Sequence, residues 1–407
     1  MPGVFERNLK DPRTLNVCCM EPQTFWIENL RGYDTIDQLK RSAFFARYRE
    51  QIQSYLGTPQ VHLFEKTTPR LSSFLRVAQW NIEKGKRFKS ILERLQKDEI
   101  LKWADVILLN EADCGMNRSE NRHVARDLAE ALEMHAAFSP AHFELTKGTD
   151  EELFLEGKNR ESLQGNAVLS RYPVSESLVL PLPVSFEPYE FGEKRFGRRT
   201  CLWVRLQLKS SLLWVGSVHL ELRNTPQCRA RQIEHILKHL PDGGKAPCLL
   251  GGDLNTNSFA RGTTWRTFRS LARLLFNSPA RMKESLLHPE SGSEPLFKLL
   301  HDSGFKWEGM NSNEETARAA INSLEESRFM PRWILQLVKK RLSPYRGYLC
   351  FKLDWIVGRG VPVLGHGQKQ DEKTKIISLG PASIRFENSG PGRISDHLPI
   401  YADIDLA

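Results

Sequence analysis
The stretch Leu249-Leu250-Gly251-Gly252-Asp253-Leu254-Asn255 places a carboxylate and a carboxamide two residues apart, directly behind two glycines. At that spacing Asp253 and Asn255 can offer oxygen atoms to one cation or one phosphate, and the glycines would let such a ligand come close to the backbone. A Gly-Gly-Asp turn that only ends a strand has the same signature. The companions of this stretch weigh toward chemistry: Asn81, Glu111, His219 and the pair Asp396-His397 are of the types that ligate hard cations, hold phosphoryl oxygens and move protons. One of them alone would mean little, because an isolated histidine in an apolar strand is ordinarily a hydrogen-bonded core residue.

Each of these residues falls at the edge of an apolar segment. Leu75 to Trp80 alternates as a strand and ends on Asn81-Ile82-Glu83, and Ala104 to Leu109 reads as a buried strand ending on Asn110-Glu111. Cys201 to Leu208 and Leu212 to Leu220 read as a hairpin whose second strand ends on His219 and Glu221. The run from Cys248 stops at Asp253, and Asp396-His397 stands just before the alternating strand Leu398 to Ile404. Gly165 to Ser170 and Leu353 to Val357 are further strands. Helical spacing appears in Phe88, Ile91, Leu92 and Leu95, in Val124, Leu128 and Leu132, and in Ile233, Ile236, Leu237 and Leu240 behind a Thr225-Pro226 cap. The pattern is α/β, and strands that share one or two packed sheets bring their polar ends to one rim.

The flanking segments are less regular. Residues 1–72 form a mainly helical extension, in which Asp34 to Gly57 carries apolar residues at helical spacing, and Gly57 to Ser73 connects it to a main domain over 73–407. Residues 256–347 are a long, basic, mainly helical insertion. Trp265, Phe268, Leu271 and Leu275 share one face there, and Trp333 to Leu342 repeats the theme; either suits nucleic acid, lipid or a solvated helix face. Lys194 to Arg199 offers phosphate-binding arginines or a solvated loop, and Gly358 to Lys375 reads as a mobile polar loop.

The 407 residues suffice for one large or two ordinary domains with a substantial core. A net charge of +9 suits polyanionic partners such as nucleic acid, phospholipid headgroups or phosphorylated metabolites. Seven cysteines without CxxC spacing argue against a zinc site or a disulfide framework. No run reaches the length of a membrane span, and Met1 to Leu15 is too charged for a secretory signal, so the expected location is cytoplasmic.

The chain resembles the endonuclease/exonuclease/phosphatase superfamily, which has the deoxyribonuclease I-like fold. The resemblance runs in order through Gln79-Trp80-Asn81-Ile82-Glu83, Leu109-Asn110-Glu111, Gly165-Asn166-Ala167-Val168-Leu169-Ser170-Arg171, Val218-His219-Leu220-Glu221, Gly252-Asp253-Leu254-Asn255, Leu353-Asp354-Trp355-Ile356 and Ser395-Asp396-His397-Leu398-Pro399. It covers about residues 74 to 407. It implies a four-layer α/β sandwich with two packed mixed β-sheets, and Mg²⁺-dependent hydrolysis of phosphate esters, with Mn²⁺ as a substitute ion.

Under that resemblance Glu111 is the main metal ligand, assisted by Asn81, with Asp396 completing the metal surroundings or a second site. His397 is the general base, oriented by Asp354. Asp253 and Asn255 position the attacking water and phosphoryl oxygens, Asn166 contacts the phosphate, and His219, if protonated, stabilises developing charge. The leading expectation is a phosphodiesterase acting as a nuclease on DNA or RNA. A phosphatase, or a sphingomyelinase- or phospholipase-like hydrolase, would use the same site, and a catalytically silent binding module on the same fold is the third reading. Protein partners are not legible in the sequence.

Overall fold
Along Leu75 to Trp80 every side chain is buried, so this strand needs cover on both faces. The structure, a computed structural model, describes residues 22–190, 192–257, 276–320, 348–386 and 393–406, together with 333, 336, 337 and 340. The larger sheet is ordered β1 (Gln60–His62), β4 (His135–Glu144), β5 (Leu163–Ser170), β3 (Val106–Cys114), β2 (Phe74–Asn81), β16 (Ile400–Asp405) and β14 (Val363–Leu364). Two short strands join it: β7 (Arg195–Gly197) on β4 and β15 (Ala382–Ser383) on β16. Its β2 and β3 are parallel, its other pairs antiparallel. The second sheet is ordered β13 (Asp354–Arg359), β10 (Cys248–Asp253), β9 (Leu212–His219), β8 (Thr200–Gln207) and β6 (Val174–Pro181), with β10 parallel to β9. A separate ribbon pairs β11 (Ala317–Ala320) with β12 (Tyr348–Phe351).

Side-chain alternation along each strand separates the layers. Val77, Val106, Leu108 and Val168 of the larger sheet meet Leu202, Val204, Val215, Leu249 and Ile356 of the smaller one in the central core. The opposite face of the larger sheet, with Ala78, Trp80, Ile107 and Leu109, packs on α4 (Phe88–Lys97) and α5 (Val124–Leu132). On the far side, Trp203, Trp214, Leu250 and Trp355 pack on Ile233 and Ile236 of α6 (Pro226–Lys238) and on the short helix Leu296–Asp302. The result is a four-layer α/β sandwich with two packed mixed sheets, as the resemblance implied. Each fully buried aliphatic side chain in these layers contributes about 1.5–3 kcal/mol, so the layers provide a rigid frame for the strand ends.

Several elements differ from the sequence reading. β3 does not stop at Asn110-Glu111 but continues to Cys114 through a bulge, with Glu111 at φ 55°. Two polar residues after an apolar run look like a strand end in sequence, whereas here the bulge turns Glu111 outward and pairing resumes at Ala112. The helix expected over 34–57 is two helices, α2 (Ile36–Arg41) and α3 (Ala43–Gly57), preceded by α1 (Pro22–Arg31). Ser42 makes the break: it is extended, donates its hydroxyl to Leu39 O at 2.7 Å and caps Phe45 N at 3.0 Å. The Gly57 to Ser73 connection contributes the edge strand β1.

The Gly358 to Lys375 loop is anchored, which corrects the expectation of mobility. Fully buried Asp371 accepts from the backbone of Ser72, Ser73, Lys373 and Thr374, and these donors hold its carboxyl below the ordinary range against the opposing effect of burial. Of the insertion, helices at Pro279–Leu287 and Leu296–Asp302 are described. The Trp265, Phe268, Leu271 and Leu275 face and most of Trp333 to Leu342 lie outside the described residues.

Candidate active site
Strand register brings the polar ends together. Asn81 lies opposite Asn110 in the larger sheet, while Asp253 lies between His219 and Asp354 in the smaller one. Close approach of β9 and β10 requires Gly252, where a Cβ would fall 1.7 Å from Val218 O; at Gly251 it would fall 2.6 Å from the Leu108 side chain of the opposing sheet. The glycines therefore serve strand and sheet packing, and not the approach of a ligand as the sequence suggested.

Asn110 fastens the two sheets at this rim. Its Oδ1 accepts Asp253 N at 2.8 Å and Gln79 Nε2 at 3.1 Å, and its Nδ2 donates to Asn166 Oδ1 and to Val218 O, both at 3.0 Å. All of these groups are buried, where an unpaired amide would cost about 1–3 kcal/mol. Sequence reasoning passed over Asn110 and Gln79. The available signal was a polar side chain at a position of β2 or β3 where alternation calls for an apolar one.

Above this layer, Asp354 Oδ2 lies 2.7 Å from His397 Nδ1, and Gln79 Nε2 donates to the other Asp354 oxygen at 3.1 Å. His397 is fixed through its backbone: its carbonyl accepts Trp80 Nε1 at 3.0 Å and its amide donates to Ser395 Oγ at 3.2 Å. Asp253 Oδ2 sits 3.7 Å from His397 Nε2, 3.3 Å from His219 Nε2 and 3.1 Å from Asn81 Nδ2, and Asp253 Oδ1 accepts Asn255 N at 2.9 Å. Asn255, at φ 51°, is held by donation to Leu220 O at 2.9 Å.

Burial and charge divide the protons unequally among these groups. Burial disfavours the charged form of His397, but the carboxylates of Asp354 and Asp253 outweigh it and raise its pKa well above the ordinary value. Burial pushes the Asp253 carboxyl up to about 7 against the attraction of His397. His219 is held well below its ordinary value by burial first, then by Arg199 and His397. Burial and these cations favour the neutral form of His219, whose charge-stabilising part was expected only if it is protonated; a neutral imidazole still donates one hydrogen bond.

A cavity of about 510 Å³ opens over the rim. Glu111, His219, Asp253, Asn255, Asp396 and His397 all line it, with Arg195, Arg198 and Arg199 on one wall. Asp354 and Asn81 stand directly behind this lining, buried. Asn166 does not reach the cavity. Its Oδ1 accepts from Asn110 and its Nδ2 donates to Thr200 O at 2.9 Å, so the expected phosphate contact is corrected to a supporting place beneath the floor. Arg195 was also missed, because its segment reads as a loop but pairs with β4 as β7.

Asp253, Asp354 and His397 offer possible ligand atoms within 4.8 Å of one another. Asp354 Oδ2 and His397 Nδ1 are already engaged with each other at 2.7 Å, and nitrogen is a softer donor than a carboxylate or carboxamide oxygen. The oxygen donors of Glu111, Asn81 and Asp396 suit a hard divalent ion better. Glu111 faces the cavity half-buried, and its hydrogen bond among the described residues is a long one, 3.4 Å from Asn81 Nδ2.

Acidic, histidine and amide side chains are thus gathered at one rim of a two-sheet sandwich. The family model described as Endonuclease/Exonuclease/phosphatase family matches residues 78–397, and the chain belongs to that family, whose members generally act on phosphoester bonds and depend on divalent metal. Among solved structures, the chain is similar to an endonuclease/exonuclease/phosphatase family protein from Leptotrichia buccalis C-1013-b, at 15% identity over 82% of this chain and 100% of that one, with a TM-score of 0.46. It is similar to the human Nocturnin catalytic domain at 16% identity over 84% and 96%, TM-score 0.43. It is also similar to D. rerio TDP2 complexed with single-strand DNA product, at 17% identity over 82% and 99%, TM-score 0.39. No curated protein matches the sequence. Among the described residues, no helix is long and apolar enough to cross a membrane.

Proposed function
We propose that the chain is a metal-dependent phosphodiesterase that cleaves nucleic acid. The observation that carries this reading is the row Asp354, His397, Asp253, linked at 2.7 and 3.7 Å and ending in a cavity that is also lined by Glu111 and six arginines. A phosphodiester is anionic, so a catalyst must offset charge, align water opposite the leaving oxygen and move a proton. The proton preferences divide these tasks differently from the sequence expectation. Asp253, whose carboxyl titrates near 7, is the better base toward water, since a base poised near the working pH transfers protons most effectively. His397, kept cationic by Asp354, stabilises the charge that grows on the phosphoryl oxygen.

Asn255 and neutral His219 orient the attacking water and a phosphoryl oxygen, while Arg198 and Arg199 hold the flanking anionic chain. Glu111, with Asn81 and Asp396, would hold Mg²⁺ or Mn²⁺, which would supply positive charge at the reacting phosphate. The chain's net charge of +9 supports a polyanionic substrate. A second reading, hydrolysis of a lipid-borne phosphate ester by a sphingomyelinase- or phospholipase-like activity, is favoured by Val184, which lines the cavity and is 52% exposed, with Phe186 beside it.

The test is product release from single-stranded DNA, duplex DNA, RNA, sphingomyelin and a phosphomonoester with Mg²⁺, with Asp253→Ala as the control. Cleavage of a nucleic acid that the variant does not cleave is the expected result. Turnover of lipid or monoester alone would transfer the site to the second reading, and no turnover of any of them would refute both.

A further inference from the structure
Residues 22–57 precede the segment that matches the family, yet they are bonded to the loop that forms one wall of the cavity. The last turn of α1 leaves main-chain carbonyls without helical partners, and Tyr189 and Lys194 supply donors to this end of the chain. Tyr189, 1% exposed, donates its hydroxyl to Leu30 O and at 3.2 Å to Tyr33 O. Lys194 donates to Tyr33 O and at 3.1 Å to Arg31 O, and its ammonium lies 4.5 Å from the centre of the Tyr189 ring. A cation at a helix C-terminus is favoured by the helix dipole as well. Two further contacts extend the junction: Glu190 accepts Ile36 N at 2.9 Å at the start of α2, and Phe45 of α3 meets Phe196 edge-on at 5.8 Å.

The same loop faces the cavity with Phe186, Pro188, Glu193 and Arg195. Its other anchor is the strand that carries Glu111. Arg118, buried, is bonded to Asp113 of β3 at 2.8 and 3.0 Å and donates to Glu193, which also accepts from Arg195. The wall is therefore gripped from two sides, by β3 within the matched segment and by α1 to α3 before it.

We infer that α1 to α3 belong to the substrate-binding wall, with Tyr189 and Lys194 as positioning residues that fix residues 183–190 and 192–199 for contact with an extended phosphodiester chain. This rests on the reading of the cavity as the substrate site. Residues at the reacting phosphate hang on the sheets and not on this loop, so a loosened wall should weaken the hold on a long substrate and leave the chemical step alone.

The experiment uses the full chain with Tyr189→Phe, Lys194→Met, both together, and Lys194→Arg, which keeps the charge and donors. Hydrogen exchange is read at 183–190 and 192–199 against β2 and β3, and kinetics are read on an oligonucleotide and on bis(4-nitrophenyl) phosphate. The double variant is expected to exchange faster in the wall and not in the strands. Its KM for the oligonucleotide should rise about five- to twentyfold, on the order of one to two of the four hydrogen bonds that it removes, with kcat within about twofold, the small diester unaffected, and Lys194→Arg close to wild type. Unchanged exchange in the wall, or a fall in kcat with KM unmoved, would overturn the inference. If wild-type protein cleaves no phosphodiester, the functional reading fails while the exchange measurement still decides whether the helices hold the wall.

Discussion
Replacing Asp354 by Asn keeps the shape of the side chain and an oxygen for Gln79 Nε2, but removes the negative charge whose oxygen lies 2.7 Å from His397 Nδ1. For charge centres about 4 Å apart, an effective dielectric of about 20 gives about 4 kcal/mol. At about 1.4 kcal/mol per pKa unit this is up to about three units of support for the imidazolium. Part of it is returned by the Asn dipole, so a fall of about one to three units is expected. In the proposed mechanism activity needs Asp253 ionised and His397 protonated, so the pH–rate profile of wild-type protein is a bell whose alkaline limb reports the raised pKa of the pair. Asp354→Asn should move the alkaline limb of kcat/KM down by about one to three units, and lower the maximum by about 10²- to 10⁴-fold. The same linkage appears in stability. A raised folded pKa stabilises the wild type fully below pH 6.5, the ordinary value, and that contribution is lost as pH rises through the folded pKa. The stability difference between wild type and variant should therefore shrink at high pH. An alkaline limb that stays in place, or an acid limb that moves instead, would refute the division of roles between His397 and Asp253.

Three further outcomes are expected. Asp253→Asn should remove activity, yet gain in melting temperature relative to wild type as pH rises from 3.8 to about 7, because the folded chain holds that proton to higher pH than the unfolded one and ionisation there costs stability; a relative loss over that window, by scanning calorimetry, would contradict the buried-carboxyl account. Asn110→Leu should cost about 2–4 kcal/mol in denaturant unfolding, since it strands Asp253 N, Val218 O and their neighbours without partners, and a neutral result would show that the two sheets do not depend on this amide. Chelation of divalent ions should stop hydrolysis, and added Mg²⁺ or Mn²⁺ should restore it; full rates in the chelator would eliminate the metal role given to Glu111.

The N-terminal extension shows why charge and hydropathy patterns stop short of function. A cap at Asp34 or Thr35, which the structure assigns to Thr35, and the end at Gly57 were legible, because capping depends on neighbours three or four residues away. That Tyr189 and Lys194 close the end of α1 was not, since these bonds join residues more than 150 apart in sequence. Arg195 illustrates the same limit: three residues of edge strand inside a polar stretch carry no periodicity of their own.

The sequence by itself determined the α/β class and many of the strands and helices, because alternation and helical spacing are local consequences of burial, and the ordered motifs, which also named Glu111, His219, Asp253, Asn255, Asp396 and His397 of the cavity lining, placed the chain in its family. Tertiary structure alone decided in which direction burial and charge move the pKa values of Asp253, His397 and His219. Burial of Asp253 beside His397, of His397 against Asp354 and of His219 facing Arg199 depends on two sheets meeting face to face, and a pKa is set by that surrounding and not by the chain neighbours. The same meeting of sheets withdrew Asn166 from the phosphate, made Asn110 the tie between the layers, and turned two glycines that resemble a ligand cradle into packing residues.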